Sequence, residues 1–256
     1  MHQIIQYIKF LLKSTNQHGV HSPFVYKIVT ECFYDKRIYS DYKDILNYRK
    51  ALLKNETKIK VTDLGAGSHV MKQEERTVSE LAKNAGTTTK RAKLLYRLIT
   101  YLKPKTILEL GTSLGIATHA LSLGNPDAKI TTIEGCPNTS KFTELHLKKR
   151  NINNVDVVTG NFNDEIKALT KNKYDLIFFD GNHQKEATLN YFEALLETAN
   201  NNSVWVFDDI YWSKGMTEAW ETIKKHPKVT VTIDTFYWGL VFFRKEQVKE
   251  GFVVRV

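Results

Sequence analysis

Cysteine is almost absent from this 256-residue chain: Cys32 and Cys136 are the only two, far apart and without metal-type spacing. A disulfide-dense scaffold and a cysteine-built metal knuckle are excluded. Such sparse thiol use fits a reducing, cytoplasmic setting, although the pair could still form one disulfide. No hydrophobic run is long enough to span a bilayer. The most apolar stretch, residues 4–12, is interrupted by Gln6 and Lys9, and no small-residue cleavage site follows it. It reads as an amphipathic helix packed on the body, with a membrane-surface helix as the sharper alternative. Internal repeats and low-complexity segments are also missing. Charge is not: Lys and Arg number 37 against 28 Asp and Glu, a net +9 that is denser in the first third. The largest basic block is only Lys148-Lys149-Arg150, so a solvated basic surface is preferred to a nucleic-acid face, with nucleic acid kept as an alternative partner.

What is present is ordinary for a globular protein, 42% hydrophobic and 25% charged. The first 60 residues read mostly as helices. The pattern breaks at His18-Gly-Val-His-Ser-Pro-Phe24, where Ser22 can cap a helix that starts with Pro23. Further helices are predicted at 42–54, 78–84 and 89–102; in the last, Ala92, Leu95, Tyr96, Ile99 and Leu102 recur at helical spacing. After Pro104 strands and helices alternate, with strands at 106–110, 129–134, 155–159, 174–180 and 203–207. Alternation implies a parallel sheet, and the continuous apolar run Asp175-Leu-Ile-Phe-Phe179 implies burial on both faces. Two closing strands, 229–236 and 238–244, have no helix between them and imply an antiparallel pair. The expected fold is α/β: a Rossmann-like, doubly wound, seven-stranded sheet, mostly parallel, with a helical extension over 1–85 and the sheet domain over 86–256.

The first motif that carries chemistry is Thr106-Ile-Leu-Glu-Leu-Gly-Thr-Ser-Leu-Gly115, a strand running into a glycine turn and a helix. Gly111 and Gly115 let a ligand approach the backbone, and the helix start offers unpaired N–H groups. Glu109 can accept from an ammonium group, and Glu134, ending the next strand, can hold ribose hydroxyls. That combination suits S-adenosylmethionine. A dinucleotide site would want G-x-G-x-x-G, which this turn lacks. The turn does match G-x-S-x-G, with Ser113 as a hydrolase nucleophile and Asp208 and His226 following in chain order. Such an elbow normally follows several strands and an HGGG-type segment, and neither is evident here. Residues 59–68 read as a strand and then a glycine-rich turn, and Asp63-Leu-Gly-Ala-Gly-Ser68 also resembles a cofactor loop; because strand–helix alternation does not continue after it, it is read as a loop of the extension, a lid being one role for it.

The second constellation is acidic. Asp180 ends the fourth strand and Asp208-Asp209 end the fifth. In a doubly wound sheet, ligands bind at the carboxyl ends of strands. Three carboxylates there need a counter-charge, and Mg²⁺ or another oxygen-ligated cation would supply it; capping helices or pairing with Lys and Arg is the alternative. His183, three residues after Asp180, is a candidate general base or else an exposed loop histidine. Lys214 is a weaker candidate. Tyr211, Trp212, Tyr237 and Trp238 are expected at the rim.

These residues carry a family resemblance. From Thr88 to Arg244 the chain resembles metal-dependent O-methyltransferases of the catechol and caffeoyl-coenzyme A type, through its 90–113 lead-in helix and cofactor strand and through Asp208-Asp-Ile-Tyr-Trp212. Asp209 stands where that family has asparagine. The Asp180-x-x-His183 spacing also resembles sugar O-methyltransferases, and the His18–Phe24 segment a group of bacterial methyltransferases. The resemblance implies S-adenosylmethionine as donor and transfer to the oxygen of a small-molecule hydroxyl. It places cofactor contacts at Glu109, Gly111, Thr112, Ser113, Gly115, Glu134, Asn161, Phe162 and Asp180, catalysis at His183 and Asp180, and metal at Asp180, Asp208 and Asp209. A homodimer stays open. The alternatives are a non-catalytic S-adenosylmethionine-binding protein and a nucleic-acid methyltransferase. Asp180-Gly-Asn-His183 stands where a base-methylating enzyme would carry Asn-Pro-Pro-Tyr.

Overall fold

Helix caps written in the sequence open the structure. In the computed structural model, which describes residues 1–62 and 74–256, helices α1 (His2–Lys13) and α2 (Pro23–Ile28) come first. The Ser22 side chain accepts from Val25 N at 3.4 Å, and Pro23 sits in the first turn, where a missing N–H costs nothing. The glycine-rich segment 63–68 lies outside the described residues. The chain divides into two units, Met1–Tyr34 with Ile166–Val256, and Asp35–Glu165.

The Asp35–Glu165 unit begins with α3 (Tyr42–Leu53), β1 (Lys58–Lys60) and β2 (Glu75–Thr77), the two strands pairing antiparallel. Helix α4 (Val78–Asn84) starts with a capping box: Thr77 Oγ1 accepts from Glu80 N, and the Glu80 carboxylate accepts from Thr77 N. Helix α5 (Thr89–Leu102) ends where Lys103 turns left-handed, just before Pro104. Then β3 (Thr106–Leu110), α6 (Ile116–Gly124), β4 (Lys129–Glu134), α7 (Pro137–Lys148), β5 (Val155–Thr159) and α8 (Phe162–Leu169) follow. Strands β3, β4 and β5 form a parallel ladder in chain order. Ile45, Tyr48 and Leu52 of α3 share one buried core with Val78, Leu81, Tyr96, Leu114 and Ile116. The helices of residues 42–84 are therefore packed directly on the turn between β3 and α6.

The other unit carries β6 (Leu176–Phe179), α9 (Lys185–Leu195), β7 (Val204–Asp208), α10 (Lys214–Lys225), β8 (Val231–Asp234), β9 (Trp238–Phe242) and β10 (Glu250–Val253). Their order is β10-β8-β9-β7-β6. β6 and β7 are parallel, β9 runs antiparallel to β7 and to β8, and β10 lies parallel to β8. All four residues of β6 and all five of β7 are buried, as continuous apolar strands require. The fold is α/β, mostly parallel with an antiparallel strand pair near the C-terminus. Strand β10 is additional to the seven expected: only Phe252 of its four residues is buried, too short an alternation to read from sequence.

Candidate functional site

The cofactor turn is built by three left-handed residues: Gly111 (φ 106°), Ser113 (φ 47°) and Gly115 (φ 72°). A Cβ on Gly115 would lie 2.6 Å from Thr143 Cγ2, so space and dihedral both require glycine. Gly111 N and Thr112 N donate to Ile133 O at 3.0 and 3.2 Å. The turn's carbonyls are pinned from two helices: Tyr48 Oη of α3 donates to Leu114 O at 2.6 Å, and Thr143 Oγ1 of α7 donates to Ser113 O at 2.7 Å.

Glu109 lies beneath this turn, fully buried. Its Oε2 accepts from Thr118 Oγ1 and Thr132 Oγ1, each at 2.6 Å, while Oε1 is buried with no hydrogen-bond partner among the described residues. Burial pushes this carboxyl up to about 7. An acceptor oxygen without a donor, beside a turn of left-handed residues, fits the ammonium end of S-adenosylmethionine. Glu134 ends β4; its Oε2 accepts from Ser113 N at 2.7 Å and its Oε1 from Cys136 N at 2.9 Å. Asn161 caps α8, its Oδ1 accepting from Asn163 N at 2.9 Å, and Phe162 is half-buried on that helix's first turn. The residues assigned to the cofactor at 109–162 thus share one unit.

Three contributors here carried no sequence signal. Tyr48 reaches the turn from 66 positions away. His119 is buried on α6, edge-on to the Tyr48 ring at 4.9 Å, and burial pushes it down to about 4, leaving it neutral. Cys136 Sγ accepts from Thr62 N at 3.4 Å, tying the end of the extension beside Glu134.

Asp180, His183, Asp208 and Asp209 belong to the other unit. Phe179 pairs with Phe207, so Asp180 and Asp208 stand level at the ends of neighbouring strands. His183 Nε2 is 4.0 Å from Asp180 Oδ1, both side chains being largely shielded. Asp208 is buried. Asp209 is left-handed (φ 51°), and its carbonyl accepts from Trp212 N at 2.8 Å. Among the described residues no three His, Cys, Asp or Glu side chains are close enough to hold one metal ion.

The expected aromatic rim is only partly a rim. Trp212 and Tyr237 are exposed, but Trp238 is buried in β9. Tyr211 Oη donates to buried Asp234, whose carboxyl burial holds above the usual range. Lys214 is exposed at the start of α10, 4.0 Å from Glu218. His226, the base of the Ser113 hydrolase reading, is engaged within its own unit. Helix α10, about 18 Å long, lies between Asp208 and His226 in the chain. At its end His226 rests edge-on against Phe192, with Nε2 3.8 Å from Glu193 and Nδ1 accepting from Lys228 N.

Residues 108–210 match a family model described as a methyltransferase domain. No curated protein sequence matches the chain. Among solved structures it resembles the S-adenosylhomocysteine-bound methyltransferase PaMTH1 of Podospora anserina, at 14% identity over 89% of this chain and 98% of that one, TM-score 0.60. It also resembles a Bacillus cereus O-methyltransferase in complex with S-adenosylhomocysteine, at 19% identity over 84% and 99%, TM-score 0.55. A third is the O-methyltransferase TomG of Streptomyces achromogenes, involved in tomaymycin synthesis and bound to S-adenosylmethionine, at 20% identity over 63% and 82%, TM-score 0.55. The chain shares the fold of these solved methyltransferases, and residues 108–210 match a methyltransferase-domain model.

Proposed function

We propose that this protein is an S-adenosylmethionine-dependent methyltransferase acting on the hydroxyl oxygen of a small molecule. The observation that carries the reading is the Glu109–Gly115 turn, with its buried acceptor oxygen, inside the segment that matches a methyltransferase domain. When bound, the donor supplies an electrophilic methyl group on a sulfonium. Glu109 accepts from the donor's ammonium, the turn at Gly111, Thr112, Ser113 and Gly115 receives its amino-acid end, and Glu134 accepts from the ribose hydroxyls. Asn161 and Phe162 border the adenine, and Asp180 completes the cofactor contacts. His183, oriented by Asp180, takes the acceptor's proton as its oxygen attacks the methyl carbon and the carbon–sulfur bond breaks. Much of the acceleration comes from holding oxygen, methyl and sulfur in line.

The finer sequence reading adds a divalent cation held by Asp180, Asp208 and Asp209, and no step is routed through it. The working division remains an extension over 1–85 and a methyltransferase domain over 86–256. Two free, buried cysteines are consistent with a cytoplasmic protein. Nucleic acid as acceptor is a second reading, favoured by one observation: a recess of about 660 Å³ beside α3 and α5, lined in part by Lys36, Lys43, Lys50, Lys93 and Arg97. RNA binding that falls steeply with salt would support it.

The test is calorimetric titration with S-adenosylmethionine, followed by transfer assays on catechols and sugar hydroxyls with and without a chelator. Micromolar binding and methyl transfer are expected. No binding by folded protein overturns the methyltransferase reading; transfer that the chelator abolishes and Mg²⁺ restores supports the three-acid cation site.

A further inference from the structure

Helix α1 is attached by the wrong side for a core helix. At about 100° per residue, Met1, Ile4, Ile5, Ile8, Leu11 and Leu12 fall within one arc of roughly 120°. Every one of them is exposed: Leu12 by 83%, Ile4 by 65%, Ile8 by 53%. The attachment lies nearly opposite. Phe10 is the helix's only buried residue, packed on Phe236 at 5.5 Å, while His2 Nε2 and Thr217 Oγ1 are hydrogen-bonded at 2.9 Å. The fold thus holds α1 by a narrow edge and turns its aliphatic face to solvent, a contiguous patch of the kind that marks an interaction surface.

The charge around that face selects the occupant. Residues 1–30 contain no Asp or Glu but carry Lys9, Lys13 and Lys27. Arg255 joins them at the helix's end, donating to Leu11 O and Ser14 O. A second copy of this chain would bring the same cations to the same edge, in a protein of net charge +9. An anionic lipid surface neutralises them instead. Lys9 lies about 40° outside the aliphatic arc, where its stem can cover apolar surface and its ammonium group reach lipid phosphates, while Lys13 lies about 80° outside it, at the C-terminal end of the helix beside Arg255. Tyr237, exposed by 53% and edge-on to the Phe236 that seats Phe10, adds a residue suited to the interface between water and hydrocarbon. At 12 residues the helix lies on a bilayer and does not cross it.

We propose that α1 is a membrane-surface anchor whose aliphatic face beds into an anionic bilayer, with Lys9, Lys13 and Arg255 at the headgroups. This inference does not depend on the methyltransferase reading. The test is co-sedimentation of the full chain with phosphatidylglycerol–phosphatidylcholine vesicles and with pure phosphatidylcholine vesicles. Binding to the anionic vesicles, weaker on neutral ones and reduced by salt, is expected. Leu12→Glu, and separately the triple variant Ile4→Ser, Ile8→Ser, Leu12→Ser, should each lower partitioning roughly tenfold or more without moving the thermal melt. Lys9→Gln with Lys13→Gln should lower it only on anionic vesicles. The proposal fails if wild type stays in the supernatant with anionic vesicles or if Leu12→Glu partitions unchanged. A concentration-dependent dimer that Leu12→Glu dissociates, without lipid binding, would assign the face to a second copy and also overturn it.

Discussion

Replacing Glu109 by glutamine should separate the cost of burying this carboxyl from its use. An unfolded chain ionises Glu109 near 4.5, whereas burial holds it at about 7 in the folded protein. Between those values the folded state keeps a proton that the unfolded state has lost. Stability from this residue is therefore full below 4.5 and falls as pH rises through 7. At about 1.4 kcal/mol per pH unit the accumulated cost is roughly 3 kcal/mol. A ligand ammonium beside Oε1 reverses the preference, because it favours the ionised form, so binding should expel the proton. Affinity for S-adenosylmethionine should then rise between about pH 5.5 and 7 by up to roughly tenfold per unit, and level off above. Titration calorimetry in buffers of different ionisation heat counts the released proton; the range stops below about 7.5, where the ligand's own amine begins to titrate. Glu109→Gln should bind more weakly at pH 7, flatten the pH dependence, and raise apoprotein stability near pH 8 by up to roughly 3 kcal/mol. Wild-type affinity that is flat over that range, or a glutamine variant that melts lower near pH 8, would refute the reasoning.

Other perturbations have defined signs. Gly115→Ala must adopt φ +72° and place its Cβ 2.6 Å from Thr143 Cγ2, so it should cost roughly 1–3 kcal/mol in urea melts. Adding Thr143→Ser should recover the steric part and leave the dihedral part. His119 is pushed down to about 4 by burial, from an ordinary 6.5. As pH falls below 6.5 the unfolded chain takes up a proton that the folded protein refuses, so stability present above 6.5 is lost on the way to 4, roughly 3 kcal/mol in all. His119→Phe should flatten that part of the stability profile, read by urea melts near pH 7 and near pH 5. His183→Asn should lower turnover by about 10²–10⁴ while leaving S-adenosylmethionine affinity within about twofold, by single-turnover kinetics and calorimetry. Equal loss of both would make the histidine structural.

Segments with strong periodicity or continuous apolar runs were legible. Helix α5 matches residues 89–102 because its buried positions recur at helical spacing, and β3, β4 and β5 match because no polar residue breaks their pattern at a turn-like position. A strand beginning at Ile59 was legible, but its pairing with β2 was not, since that partner is only three residues long and follows a long connection. The cofactor turn was legible where chemistry forces a residue type. Gly111 and Gly115 both need positive φ, and an acid closing an apolar strand stands out. Ser113, equally left-handed, gives no such signal, because its conformation is imposed by Glu134 and Thr143. Of the acidic set, sequence spacing placed Asp180 and Asp208 level at neighbouring strand ends, while the left-handed backbone at Asp209 carries no sequence signal.

What spacing could not show at all is how closely the N-terminal extension is bound up with the cofactor turn. An extension normally reads as something added to a complete domain. Here the Leu114 carbonyl accepts from Tyr48, and Leu114 and Ile116 complete a core whose other walls are Ile45, Leu52, Val78 and Leu81. A chain cut at residue 86 would lose α3 and α4, leave the Leu114 carbonyl without its donor and expose the side chains that follow the turn. Each lost hydrogen bond costs about 1 kcal/mol, and each uncovered aliphatic side chain about 1.5–3 kcal/mol. That is a large share of the roughly 5–15 kcal/mol by which such a domain is stable. The left-handed residues of the turn are the strained part and would relax first once their support is gone. Residues 35–85 are thus part of what holds the cofactor turn in shape, and the segment that matches a methyltransferase domain, 108–210, does not contain all of its own support.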